Sequence, residues 1–370
     1  MKIRSTGQTV HPYRGASRNY QGPSISQVYR FIGADLFSTF DSQTAPKSGR
    51  DEATLLVLDS FERRRPDQMS HGESVRSVCL SRGLPESSVR AHESHHTHCS
   101  LMLLCRGPES ASERLDAFIE YDAAELVEST NLTLKQQAAE GSSIRTINQS
   151  EGISGLTTAQ FLLNSALRPT EEGEPELTEI GDLLYRGLGK PADLGELQQR
   201  LFDRIDEVYG RSELLASNRR DLNQTLGQLK ERGIEYFVPG GNEQDYYESC
   251  KRKGVRVPDR LLASVLSVPN ANTVGAIDTK GTATPDDDEV AGFSIREPNV
   301  KYLAPGVDIS VSDGVTTEVV SGTSVSSPYV AASYEKLRRE NPRLSGSELH
   351  QLLGKGQMGN DPHGPVAVVL

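Results

Sequence analysis

The stretch Ser321-Gly322-Thr323-Ser324-Val325-Ser326-Ser327-Pro328 sets a hydroxyl between a glycine-bearing turn and an apparent helix running from Pro328 to Leu337. A serine at such a junction projects its Oγ into open space, with neighbouring backbone N–H groups able to stabilise negative charge. Taken alone, the string also suits a helix N-cap, where serine and threonine are favoured. The two readings part on whether the chain also supplies a base, an orienting acid and an oxyanion donor.

Working upstream, Ala53-Thr54-Leu55-Leu56-Val57-Leu58 is a compact apolar run ending at Asp59, the pattern of a buried parallel strand with an acid at its carboxyl end. Gly72 through Leu80 has near-helical spacing, with Val75, Val78 and Cys79 on one side, and His71 stands at its start. Ala111 to Ala139 reads as one or two helices, Ile144 to Ile147 as a short strand turning at Ser150-Glu151-Gly152. Tyr236-Phe237-Val238 runs into Pro239-Gly240-Gly241-Asn242. Further strands are expected at Thr273–Ile277 and Val300–Leu303, and closing helices at Pro328–Arg339 and Ser345–Leu353. Strand-then-helix alternation of this kind argues for an open α/β sheet whose ligands gather at the carboxyl ends of its strands.

The chain has 370 residues, 35% of them hydrophobic, enough for one substantial core with an elaborated insertion. Its net charge of −11, from 51 acidic and 40 basic side chains, argues against a broad nucleic-acid surface, which needs concentrated positive charge. No apolar stretch follows the basic start Met1 to Arg4, and no run is long enough to cross a bilayer. The four cysteines, Cys79, Cys99, Cys105 and Cys250, show no CxxC spacing and are expected as free thiols. Cytoplasmic residence is the expectation, with unconventional export left open.

The motifs in their order resemble the subtilisin-like (subtilase) serine peptidases over roughly residues 52–355. The resemblance rests on Asp59 in Val57-Leu58-Asp59-Ser60, His71 in Ser70-His71-Gly72, Asn242 in Gly240-Gly241-Asn242-Glu243, and Ser324 in the string above. Ala304-Pro305-Gly306 with Ile309, and Val274-Gly275-Ala276 followed by Phe293-Ser294, add to it. It implies an α/β, parallel-sheet, three-layer fold with a long helical insertion. It also implies a serine endopeptidase acting without a cofactor on protein or peptide substrates through an acyl-enzyme; calcium is common in the family, and no metal site is assigned. Ser324 would be the nucleophile, His71 the base, Asp59 its orienting acid and Asn242 the oxyanion donor, in the chain order Asp, His, Ser. Ser150, Glu151, Gly152 and Gly241 would line the substrate, pairing with its main chain as an added strand. The rival is a catalytically silent binding protein on the same scaffold. A lipase or esterase is disfavoured because no Gly-x-Ser-x-Gly elbow surrounds Ser324.

Residues 1–50, rich in Ser, Gly, Gln, Arg and Pro, read as an extension or short pro-segment. The peptidase domain is expected over 51–358, with a helical insertion at 155–230 and a tail at 359–370. That insertion reads as a lid, a partner or oligomer contact, or a solvent-facing elaboration. Asp59 and His71 lie closer together than in the well-known secreted members, and Glu73-Ser74 stands where Thr-His is usual. Glu151 and Glu243, both beside expected subsites, suggest a preference for a basic substrate side chain. Arg63-Arg64-Arg65 reads either as a self-cleavage site or as a solvated loop. His92, His95, His96, His98 and Cys99 lie in one short run without a second cluster and are read as a polar loop. The acidic patch Asp286-Asp287-Asp288-Glu289 is read as solvent-facing.

Overall fold

The computed structural model describes residues 53–63, 65, 67–94, 103–104, 110–168, 176–282, 287–354, 356–358 and 366–368. The 1–50 extension and His95 to Cys99 lie outside them.

Strand β1 (Leu55–Asp59) leads through a short loop to helix α1 (His71–Ser81) and strand β2 (Val89–Glu93). Helix α2 (Ala111–Gln137) is one continuous helix, followed by β3 (Thr146–Gln149), α3 (Gly155–Ala166) and the small hairpin β4 (Leu167–Arg168) and β5 (Glu176–Leu177). Then come α4 (Glu179–Gly187), α5 (Leu194–Arg211), α6 (Glu213–Glu231), β6 (Glu235–Pro239) and α7 (Gln244–Arg252). The last third holds β7 (Asn272–Asp278), β8 (Glu289–Val290), β9 (Val300–Pro305) and the hairpin β10 (Ile309–Ser312) and β11 (Thr317–Val320). Helices α8 (Thr323–Glu340) and α9 (Gly346–Leu353) and strands β12 (Gly356–Met358) and β13 (Val366–Val368) complete it.

The sheet order is β12-β13-β9-β7-β6-β3-β1-β2, with β8 on β7. From β13 to β2 every neighbouring pair is parallel, whereas β8 and β12 run antiparallel to their partners. The sheet is therefore mixed, a correction to the all-parallel expectation. Both exceptions are short pieces returning on the strand beside them, which needs only a turn, whereas a parallel partner needs a full crossover. Residues 366–368, assigned to a tail in the sequence reading, supply β13 inside the sheet.

β1 is buried along its whole length, and its alternation sorts the two helical layers. Leu55 and Val57 meet Val75, Cys79, Val330, Ala331, Tyr334 and Leu349 of α1, α8 and α9. Leu56 and Leu58 meet Ala123, Leu126 and Val127 of α2, and Leu222 and Leu226 of α6. Beyond α2 lies a second apolar core, in which Leu115 and Phe118 of α2 pack with Leu156 and Leu162 of α3, Leu184 of α4, and Leu201, Phe202 and Ile205 of α5. The 155–230 insertion is thus welded onto α2 and is more than a solvent-facing elaboration. No described helix is long and apolar enough to cross a membrane.

Side-chain caps start the helices where the sequence changes period. Ser70 with Glu73, Ser110 with Glu113 and Ser345 with Glu348 form capping boxes. The chain passes from β1 outward to β2 and then back to β3 on the other side of β1, so the strand order reverses at the carboxyl ends of β1 and β3. Such a reversal opens a crevice where ligands bind in open α/β sheets.

Phe202 is fully buried in the second core. Replacing it with alanine is expected to lower stability by about 3–5 kcal/mol, read by urea unfolding. A loss below about 1 kcal/mol would show that the outer helices contribute little to the folded state.

Candidate active site

The crevice is built first by β1. Asp59 ends that strand with no exposed surface, and its Oδ1 accepts the Ser60 N–H at 2.8 Å. The same oxygen lies 2.7 Å from Nδ1 of His71, the first residue of α1, whose side chain is 45% exposed. The short 60–70 loop therefore suffices to join the two. It closes by a bond from the Gly72 N–H to the Ser60 carbonyl at 2.8 Å, with the Phe61 ring packed over Gly72. A Cβ at position 72 would lie 2.8 Å from that ring, so the glycine after the histidine is required by close approach.

Glu73, an unusual residue at its position, closes the α1 capping box by accepting the Ser70 N–H at 2.7 Å. Its other oxygen pairs with Arg63 at 2.6 Å, and Arg63 pairs in turn with Asp313 in the β10–β11 turn at 2.6 Å. Glu318 of β11 accepts the Met69 N–H at 3.0 Å, and Ser77 of α1 accepts the Ser312 N–H at 2.8 Å. The hairpin thereby braces the loop that carries His71. Arg63 is an ion-pair partner on this brace, not a residue of a free basic loop.

Ser324 sits within the first turn of α8, which starts at Thr323, five residues before the Pro328 start expected from sequence. No side chain of its own caps this helix. Asn242 does so from the loop after β6, its Oδ1 accepting the Thr323 N–H at 2.8 Å and the Thr323 hydroxyl at 3.0 Å. The Thr323 Oγ1 also accepts the Gly241 N–H at 3.2 Å. Because a backbone N–H can only donate, the Asn242 amide must present its oxygen to Thr323, which fixes its flip and turns Nδ2 the other way. Gly322 adopts φ 156° and ψ 160°, a region open essentially to glycine alone. A Cβ there would lie 3.1 Å from the Ser324 Oγ and 3.4 Å from the Asn242 Nδ2. The serine hydroxyl and the amide donor therefore border one small space above a bare Cα.

The two halves meet because α1 and α8 begin side by side. Met69, just before His71, shares an apolar cluster with Val325, just after Ser324, together with Val78 and Val311. Deeper in, the Ser327 hydroxyl donates to Asn148 Oδ1 at 2.7 Å, and Asn148 Nδ2 donates to the Ser150 hydroxyl at 2.8 Å. This chain ties the serine helix to the end of β3.

The Subtilase family profile matches residues 208–358, a span that contains Asn242 and Ser324. That part of the chain carries the sequence pattern of the subtilase family. Serine protease AprX of Bacillus subtilis (strain 168) is 34% identical over 129 residues, a match covering 29% of this chain and 29% of that protein. The aligned part thus spans less than a third of that relative. Among solved structures, the self-cleaved protease domain of PatA shows 16% identity and a TM-score of 0.43, covering 87% of this chain and 94% of that one. A lanthipeptide protease shows 12% identity and a TM-score of 0.44, covering 87% and 85%. A psychrophilic protease shows 16% identity and a TM-score of 0.40, covering 82% of each chain.

Asp59 and His71 lie outside the span matched to the subtilase profile, and α1, which His71 opens, packs against α8, which carries Ser324. Ser150 is buried with its hydroxyl engaged inward, Gly152 is exposed beside Ser264, and Gly241 backs the Asn242 turn with φ 122°. Glu243 departs from the subsite reading, since both its oxygens are taken up inside the loop: Oε1 by the Thr157 hydroxyl and Oε2 by the Asn242 N–H, each at 2.9 Å. Sequence reasoning passed over Thr323, Thr157 and Asn148. The Ser154-x-x-Thr157 capping spacing was the one readable signal among them. Of the histidine run, only His92 lies among the described residues, on β2. No cluster of metal-ligating side chains occurs among the described residues.

Glu151 lies close enough to Asp59 and His71 to feel both charges. Burial raises its pKa from the ordinary 4.5 to about 7, reinforced by Asp59 and Glu93 and opposed by the Ser94 hydroxyl and His71. The unfolded chain releases this proton near pH 4.5 and the folded chain near 7, so ionisation costs folding free energy across that window. The cost is on the order of 3 kcal/mol, fully felt above the window and absent below it. Glu151→Gln removes it. The stability advantage of that variant in urea unfolding is expected to widen from pH 4.5 to 7 and to stay constant above. A gap that does not change with pH would show that the carboxyl titrates as if in water.

Proposed function

We propose that the chain is a serine endopeptidase. The Ser324 Oγ attacks the scissile carbonyl carbon while His71 Nε2 takes the hydroxyl proton. Asp59, held against Nδ1, keeps the imidazole in the required tautomer and balances the imidazolium. The carbonyl oxygen becomes an oxyanion in the space bordered by Asn242 Nδ2 and the backbone N–H of Ser324. Collapse of this intermediate breaks the C–N bond, and His71 gives its proton to the leaving amine. Water then attacks the Ser324 ester, delivering its proton through His71 and releasing the carboxylate product. No cofactor enters these steps.

The observation that carries this reading is the paired geometry: Asp59 to His71 at 2.7 Å, and Asn242 fastened to the residue before Ser324 at 2.8 Å. The peptide would lie along residues 150–152, pairing through its main chain. The match of residues 208–358 to the Subtilase family and the likeness to serine protease AprX support hydrolase chemistry on protein or peptide substrates. With Glu243 turned inward, Glu151 is the acid left to favour a basic substrate side chain. On a peptide panel, Glu151→Leu is expected to erase any preference for Arg or Lys over Leu, and a preference that survives would place its origin elsewhere.

The deciding experiment is intact-protein mass spectrometry after brief fluorophosphonate treatment of the wild type and of Ser324→Ala. One adduct on the wild type and none on the variant is expected. An unmodified wild type would overturn the peptidase reading in favour of a silent binding protein. On an active wild type, Asn242→Ala is expected to lower kcat by about 10²–10³-fold.

A further inference from the structure

Asn242 is gripped at two points, and only one of them comes from the serine helix. Its side-chain oxygen is held by Thr323, as described above. Its backbone N–H donates to Glu243 Oε2 at 2.9 Å, and the other Glu243 oxygen accepts the Thr157 hydroxyl at 2.9 Å. Thr157 is no loose surface residue. It is the third residue of α3, reciprocally capped with Ser154, whose Oγ accepts the Thr157 N–H at 3.0 Å. The start of α3 is pinned in turn by the Val265 N–H donating to the Ile153 carbonyl at 2.8 Å. The Glu243 carboxylate also folds back over Gly241, where a Cβ would come within 2.8 Å of Oε2.

Both partners of this carboxylate are donors, an N–H and an O–H, so it serves as a double acceptor. The groups that act on its ionisation are burial and these hydrogen bonds, with no Lys or Arg among them. Its place in the structure is therefore directional bonding, not charge pairing.

We propose that Glu243 is a positioning residue for peptide hydrolysis: it fixes the Asn242 backbone to the start of α3, so that the Asn242 amide stays aimed at the developing oxyanion. The proposal rests on the peptidase reading. It differs from a subsite role, in which the acid would contact substrate, and from a merely stabilising role, in which its loss would not depend on Asn242.

A double-mutant cycle separates these roles. kcat and KM on a peptide substrate are measured for the wild type, Glu243→Ala, Glu243→Gln, Asn242→Ala and the Asn242→Ala/Glu243→Ala double variant. Glu243→Ala is expected to lower kcat about 10-fold or more, with KM within about twofold. Glu243→Gln should restore kcat to within about threefold of wild type, because its carbonyl still accepts the Asn242 N–H while its NH₂ can meet the Thr157 oxygen. In the Asn242→Ala background, Glu243→Ala should change kcat less than about twofold, since the group it aims is gone. Equal factors in both backgrounds would overturn the proposal, as would a loss confined to KM. Should Glu243→Ala fail to fold, Thr157→Val, which removes the anchor together with the Thr157 half of the α3 capping box, runs the same cycle with the same expectations. A wild type without Ser324-dependent turnover would overturn the peptidase reading, and this proposal with it. Turnover with an additive cycle would overturn this proposal alone.

Discussion

Asn242 Oδ1 accepts two hydrogen bonds from Thr323, and through them the loop after β6 meets the first turn of α8. Much of the local structure follows from that contact. It supplies the cap that Gly322 cannot, it decides which way the Asn242 amide faces, and it sets the serine beside the amide nitrogen over a glycine that leaves room for neither a side chain nor a shift. A neutral hydrogen bond of this kind contributes only about 1 kcal/mol net. Its importance is geometric, because it couples two segments 81 residues apart into one orientation.

The other half of the crevice is held differently. Asp59 and His71 depend on the end of a fully buried strand and on a glycine pressed against Phe61, while the loop between them is braced by an external hairpin through Arg63, Glu73, Asp313 and Glu318. The Arg63 pairs are partly exposed and of the kind that adds little stability. The backbone-to-carboxylate bonds at Ser70 and Met69 have partly buried donors and carry more direction. One half of the crevice thus relies on a cross-loop amide, the other on packing with an ionic brace.

The parts legible in the sequence were those set by short-range pattern. The apolar run before Asp59 read correctly as a buried strand because both its faces are covered, and α1 read correctly because Val75, Val78 and Cys79 fall on one side. The α8 start was misplaced because Pro328 favours a helix's first turn, yet here it lies in the interior, where it cannot bond back to the Ser324 carbonyl. The true start depends on a cap donated from position 242, which no local pattern can reveal. Glu243 resembled a subsite acid for the same reason, since its inward turn depends on Thr157, 86 residues away. The antiparallel strands β8 and β12 are too short to leave a periodic signal. The outer core was invisible as a core: the helices over 155–230 showed their charge, while the apolar faces buried on α2 emerged only from packing.

The order in which the chain supplies these parts has a temporal side. Asp59 and His71 come from the opening β1–α1 unit, whereas Asn242 and Ser324 lie in the last 40% of the sequence, after the helical excursion has been laid down. Contacts of such long sequence separation form late, because loop closure must precede them. A growing chain therefore carries its imidazole–carboxylate pair long before any serine can reach it. Whatever reaction the crevice supports stays locked until α8 docks against α1, so that completion of the fold itself acts as the safety catch.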